Sequence, residues 1–154
     1  MPPVAVKVEA LMHGHDLDVS GIGGTLSGSA LAGAAIRATL THALRQEDFD
    51  IAIPLATRWS TGVQAIIDQH GLPWTVQQLG CRAEYWFSEH PQNGAQAAAS
   101  VNDGLESFMH LYALNRGILL TPFHNMALMS PATTAADVDA HTAAFRAMCA
   151  DLVG

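Results

Sequence analysis

Gly23-Gly24-Thr25-Leu26-Ser27-Gly28 is followed, after Ser29-Ala30, by Leu31-Ala32-Gly33-Ala34-Ala35-Ile36-Arg37-Ala38-Thr39-Leu40. A glycine-rich turn that feeds a helix start presents backbone N–H groups, a hydroxyl and the positive helix end to one anion, and a phosphate suits such a cradle. The same residues also suit a purely structural turn, because glycine supplies positive φ and Ser or Thr caps the helix that follows. Local chemistry leaves both open.

Downstream of this turn the pattern is regular. Ile36, Leu40 and Leu44 recur at helical spacing among alanines, which predicts a mostly buried helix over about 29–45. Leu55, Trp59, Val63, Ile66 and Ile67 form a second helical stripe, with a start expected near Pro54 and an end at Gly71 before Pro73. Two aromatic-rich extended runs, 74–79 and 82–87, flank Gly80-Cys81 and should pair antiparallel. Residues 88–94 read as a polar loop, and the alanine-rich run 95–100 as a mobile linker. Asn102 or Asp103 can cap a third helix with Leu105, Phe108, Met109 and Tyr112 on one face, closed by Gly117.

Short apolar runs at 118–120 and 126–129 flank the turn Thr121-Pro122-Phe123-His124-Asn125 and predict two further strands. Thr134-Ala135-Ala136-Asp137 has the form of a capping box, opening a last helix with Val138, Phe145, Cys149 and Leu152 inward. Helices packed on a small, largely antiparallel sheet make the expected fold class α+β.

The bulk composition narrows the partners. With 154 residues, 49% of them hydrophobic and 14% charged, the chain can bury a sizeable core. A formal charge of −7 and the absence of any basic run argue against nucleic acid or an anionic membrane as partner. No apolar stretch approaches the roughly 18 residues of a transmembrane helix, nothing at the N-terminus resembles a secretion signal, and Cys81 and Cys149 form no disulfide framework. The expected compartment is the cytoplasm.

His13-Gly14-His15-Asp16-Leu17-Asp18 has ligand types for a divalent metal. No second cluster completes a closed site, and the alternation equally fits a solvated strand, so no metal is expected. Met109, Met126, Met129 and Met148 fall at core positions.

Gly24-Thr25-Leu26-Ser27-Gly28-Ser29-Ala30-Leu31-Ala32 resembles the segment GTLSGNPLA of the class III aminotransferases, especially their glutamate-semialdehyde aminomutase branch. Asn115-Arg116-Gly117-Ile118 through Pro122, with Met129-Ser130 and Thr134 to Asp137-Val138-Asp139, resembles the closing passage of that family in the same order. The resemblance covers nearly all of 23–154. It implies a fold-type I enzyme dependent on pyridoxal 5'-phosphate, passing an amino group between a small-molecule donor and a carbonyl acceptor. It further implies that 1–45 is the end of a large cofactor-binding domain and 46–154 the C-terminal small domain, in a homodimer. By the same resemblance Thr25, with Gly24, contacts the cofactor phosphate from the neighbouring subunit.

Such an enzyme needs a lysine to hold the cofactor and move a proton. The chain's single lysine, Lys7, sits in Val4-Ala5-Val6-Lys7-Val8-Glu9, without the glycines that mark the family's lysine, and reads as a strand or surface residue. No catalytic residue is therefore expected here, and the chain reads as a C-terminal portion, inactive alone. A truncated pseudoenzyme or dimerisation module is the alternative, with a small metal-binding protein behind it.

Arg82 either clamps a substrate carboxylate or makes an internal ion pair with its neighbour Glu84. Arg116, just before Gly117, fits helix-terminal carbonyls better. His124 lies in a loop that can face the active site or the solvent. Asn125 stands where the aminomutase branch carries a glutamate, and its lost carboxylate points away from the aminomutase reaction toward transamination. Ser29 replaces the family's usual asparagine and keeps a hydrogen-bonding group.

Overall fold

The computed structural model describes residues 28–121 and 124–154, together with Val6. The chain divides into two units, Met1–Leu44 and Arg45–Gly154.

The first unit contributes helix α1, Ala30–His42. Ser29 is its cap, with Oγ accepting from the Ala32 N–H at 3.4 Å, so the serine does keep a hydrogen-bonding role at the helix start. The expected burial of this helix is not found. All its residues are exposed, Leu31 to 80%, Ile36 to 60% and Leu40 to 62%. An alanine and leucine stripe is apolar by composition, but burial needs an opposing surface, and composition cannot supply one.

The second unit carries α2 (Gln46–Gln69), β1 (Thr75–Leu79), β2 (Arg82–Trp86), α3 (Gly94–Ala99), α4 (Asp103–Leu114), β3 (Met126–Leu128) and α5 (Ala135–Val153). Helix α2 begins eight residues before Pro54, which lies in its interior. The start is set by Asp48, whose carboxylate accepts the Arg45 backbone N–H at 3.1 Å, with Glu47 beside it at the positive helix end. Proline removes one helical hydrogen bond, which a helix of 24 residues tolerates when its later turns are buried. Those turns are buried: Trp59, Val63, Ile66 and Ile67 are at most 1% exposed. Gly71, at φ +62, then ends the helix, with the Leu72 N–H returning to the Ile67 carbonyl at 3.1 Å.

β1 and β2 pair antiparallel in the register Thr75↔Trp86 to Leu79↔Arg82, so Gly80-Cys81 is a two-residue hairpin loop with Gly80 at φ +57. β3 pairs antiparallel with β2, Arg82 opposite Leu128 and Glu84 opposite Met126, giving the order β1-β2-β3. Of the two later strands expected, only β3 forms. Residues 118–120 are not strand, although the Thr121 N–H still reaches the Met126 carbonyl at 3.3 Å. The alanine run expected as a linker is helix α3, which Asn93 caps by accepting the Gln96 N–H at 3.0 Å. Alanine is the best helix former, and a good cap suffices for a short helix.

Asn102 caps α4 through the Leu105 N–H at 3.0 Å. Thr134 and Asp137 form the expected capping box on α5. Val138, Phe145 and Cys149 are buried as expected, whereas Leu152 is 38% exposed at the fraying end.

The core fills the space between α2, α5 and one sheet face. Tyr85 sits at its centre, stacked with Trp59 at 6.2 Å and meeting the Phe145 ring edge-on at 5.1 Å. Arg58 and Asp139 add a bidentate pair between α2 and α5 at 2.7 and 2.8 Å. Among the described residues no helix is long and apolar enough to cross a membrane.

Candidate active site

β2 is the middle strand, and its side chains alternate. Ala83 and Tyr85 enter the core, so Arg82, Glu84 and Trp86 fall on the opposite face. Glu84 is nevertheless only 8% exposed. A carboxylate so enclosed needs a partner, and Arg82 Nη2 donates to Glu84 Oε2 at 2.7 Å. On the other oxygen, His124 Nδ1 lies 3.7 Å from Glu84 Oε1. Of the two roles expected for Arg82, the internal ion pair is the one formed.

Asn125 follows in the same turn, 8% exposed. Its backbone carbonyl accepts the Tyr85 N–H at 3.1 Å, which ties the turn to β2. Its side-chain Oδ1 is buried without a hydrogen-bond partner. Glu84, His124 and Asn125 all border a cavity of about 710 Å³ that also reaches Trp86, Glu106 and His110. Three more buried polar atoms on bordering residues lack partners: Tyr85 Oη, Trp86 Nε1 and His110 Nε2. Burial, with smaller effects from Cys149 and the Glu106 charge, pushes the Tyr85 phenol far above its ordinary value. It is a neutral hydroxyl at any physiological pH.

Arg116 takes no part. Its guanidinium lies 3.5 Å above the Tyr112 ring and Nη1 donates to the Tyr112 carbonyl at 3.2 Å, the helix-terminal role expected of it. Gly24, Thr25, Lys7 and the His13 to Asp18 cluster lie outside the described residues. Among the described residues no cluster of histidine, cysteine and carboxylate groups could hold a metal.

No family model matches the chain. Individual proteins do. The chain is 32% identical over 126 residues to the glutamate-1-semialdehyde 2,1-aminomutase of Nitratidesulfovibrio vulgaris, covering 81% of this chain and 29% of that enzyme. It is 34% identical over 119 residues to the same enzyme of Desulfitobacterium hafniense, covering 75% and 27%. Among solved structures, a glutamate-1-semialdehyde aminomutase from Pseudomonas aeruginosa PAO1, also solved in complex with PMP, matches at 44% identity and TM-score 0.78 over 90% of this chain and 31% of that one. The chain belongs to the class III aminotransferases.

It spans about three tenths of the length of these class III relatives, the C-terminal part. Three of the residues expected from the sequence, Arg82, His124 and Asn125, converge on Glu84 or on the cavity that it borders. Four others were missed: Tyr85, Trp86, Glu106 and His110. A signal for two of them existed, since Glu106 and His110 are four apart and share one face of α4. The strand residues Tyr85 and Trp86 read as sheet-forming aromatics, and nothing local marks which aromatic will border a cavity.

Proposed function

We propose that this chain is the substrate-facing C-terminal portion of a pyridoxal-phosphate-dependent transaminase, with 1–45 the end of the large domain and 46–154 the small domain. The observation that carries it is the likeness to the Pseudomonas aeruginosa aminomutase across nine tenths of the chain.

The described residues do not themselves fit the cofactor. They contain no lysine, and the cavity is bordered by the carboxylates of Glu84, Asp103 and Glu106, which repel a phosphate. Lysine and ring contacts therefore come from outside this stretch, and the phosphate contact is assigned to Thr25 and Gly24 in the glycine turn. When bound, the cofactor supplies the electron sink for amino transfer. The residues 46–154 contribute the wall on which the substrate rests. Asn125 Oδ1 accepts a substrate N–H, His124 faces the same space, and Arg82 holds the Glu84 carboxylate in place rather than gripping the substrate directly. The exposed apolar stripe of α1 is assigned to the interface of a cytoplasmic homodimer. The aminomutase relatives supply the framework, while asparagine at 125 in place of a carboxylate favours transamination over the internal exchange.

A graft tests this. Residues 23–154 placed on the N-terminal part of the Pseudomonas aeruginosa aminomutase should bind the cofactor, with its visible absorbance, and transfer amino groups, and Thr25→Ala should weaken cofactor retention. The isolated chain should show neither property. Cofactor absorbance from the isolated chain that is lost in Lys7→Ala would overturn the proposal, as would a folded graft that holds cofactor but transfers nothing.

A further inference from the structure

We infer that Gln64 guards the free edge of the sheet: its side chain occupies the β1 backbone and keeps that strand from pairing with β1 of a second copy of this chain. The contact lies outside the candidate active site and holds whatever reaction that site performs.

β1 ends the order β1-β2-β3, and among the described residues no strand pairs with its other side. The direction of its backbone groups follows from the register. Val76 stands opposite Tyr85, and the Tyr85 N–H goes to the Asn125 carbonyl on the β3 side. Opposed residues of an antiparallel pair turn their backbone groups either toward each other or both away. The Val76 N–H and C=O therefore point away from β2, and those of Gln78, two residues on, do the same. Such a row is a template for another strand.

Sheet edges are commonly blunted by charge, proline or a bulge. Thr75-Val76-Gln77-Gln78-Leu79 contains neither a charged residue nor a proline, and its register with β2 runs without a break. Leu79 is 80% exposed at its end. Protection has to come from another element, and α2 supplies it. Gln64 Oε1 accepts the Val76 N–H at 2.9 Å. The Gln64 amide is itself held, because its Nε2 donates to Asp68 Oδ1 at 2.8 Å. Further along the strand, Gln78 Nε2 donates to Thr57 Oγ1 at 3.1 Å. Thr57, Gln64 and Asp68 are spaced seven and four residues apart, so one polar face of α2 runs beside the edge.

A second copy is the occupant this edge fits, because the edge is complementary to itself. An antiparallel two-fold join centred on Gln77 sets Val76 of one copy against Gln78 of the other, the two positions in β1 whose N–H and C=O face outward. Gln77 then meets Gln77, a pair without charge. The join requires Gln64 to release the Val76 N–H in both copies.

Sedimentation equilibrium of the 154-residue chain and of Gln64→Leu tests this, with circular dichroism to check the fold. Leucine keeps helix propensity but accepts no hydrogen bond. Self-association should tighten about tenfold in Gln64→Leu, since neither copy then gives up a hydrogen bond in order to pair. Adding Gln77→Lys sets like charges opposite each other across the join and should return association to the parent value. Hydrogen exchange localises the contact: protection of residues 75–79 should rise with protein concentration in Gln64→Leu and not in the parent. Asp68→Ala, at an exposed position, is a second variant whose fold is least at risk, and by freeing the Gln64 amide it should tighten association about twofold. Association no tighter than the parent in either variant, tightening that survives Gln77→Lys, or concentration-dependent protection of residues 75–79 in the parent would overturn the inference.

Discussion

Arg82 Nη2 and Glu84 Oε2 meet at 2.7 Å on one face of the central strand, two residues apart, with the carboxylate enclosed and the guanidinium half exposed. The pair lets an acid occupy a nearly buried position beside the cavity. Arg82→Ala should cost about 1–2 kcal/mol, because it strands a buried carboxylate rather than merely deleting a contact. Replacing both residues with methionine should cost less than Arg82→Ala alone. Urea unfolding of the two variants measures the difference.

His141 predicts an acid-sensitive fold. It is 5% exposed, lies 5.1 Å from the Trp59 ring, and neither ring nitrogen has a partner. Burial lowers its pKa from 6.5 to about 4. The unfolded chain therefore binds the proton more readily than the folded one between those values, so stability is full above about pH 6.5 and falls as pH drops toward 4. The loss should be about 3 kcal/mol over that window. His141→Leu should remove most of this slope and leave stability at pH 7 nearly unchanged, which thermal melts across the range would show.

Gly62 of α2 lies close against Thr142 of α5. A Cβ at 62 would stand 3.1 Å from Thr142 Cγ2 and 3.2 Å from its Oγ1. The threonine is not free to turn aside, since its hydroxyl donates to the Val138 carbonyl at 2.9 Å. Alanine gains about 1 kcal/mol of helix propensity over glycine, while overpacking costs about 1–3 kcal/mol. Gly62→Ala should therefore destabilise by about 1 kcal/mol, and adding Thr142→Ala should restore stability to at least the parent value.

The two cysteines should differ in reactivity. Cys149 is fully buried, and burial raises its thiol to about 11. Cys81 is partly exposed in the β1–β2 hairpin loop. A thiol reagent at pH 8 should modify Cys81 rapidly in the native protein, and Cys149 only at the rate of unfolding. Modification of both at one rate in native buffer would contradict this placement.

Much of the second unit was legible because its signals are local. Asn102, and Thr134 with Asp137, announce helix starts through side chains that reach only three residues along the chain, and Gly71 stops α2 through its own backbone conformation. The hairpin needed only two aromatic runs and Gly80-Cys81 between them. Pro54 misled because proline fits a first turn best, yet the eight residues before it form a helix that Asp48 caps. The candidate site was half legible. Arg82, His124 and Asn125 stood out by type, whereas Glu106 and His110 joined them only through the folding of α4 against the rest of the unit.

The sequence by itself determined the four longer helices, the β1–β2 hairpin, most of their ends, and the family, since caps, turns and motif spellings act over a few residues. Tertiary structure alone decided that Arg82 spends its charge on Glu84, that Asn125 is buried with an unmet oxygen, and that carboxylates and aromatic rings from separate elements enclose one cavity. Those are relations between residues distant in the chain, and burial and electrostatic pairing depend on distances that only packing establishes.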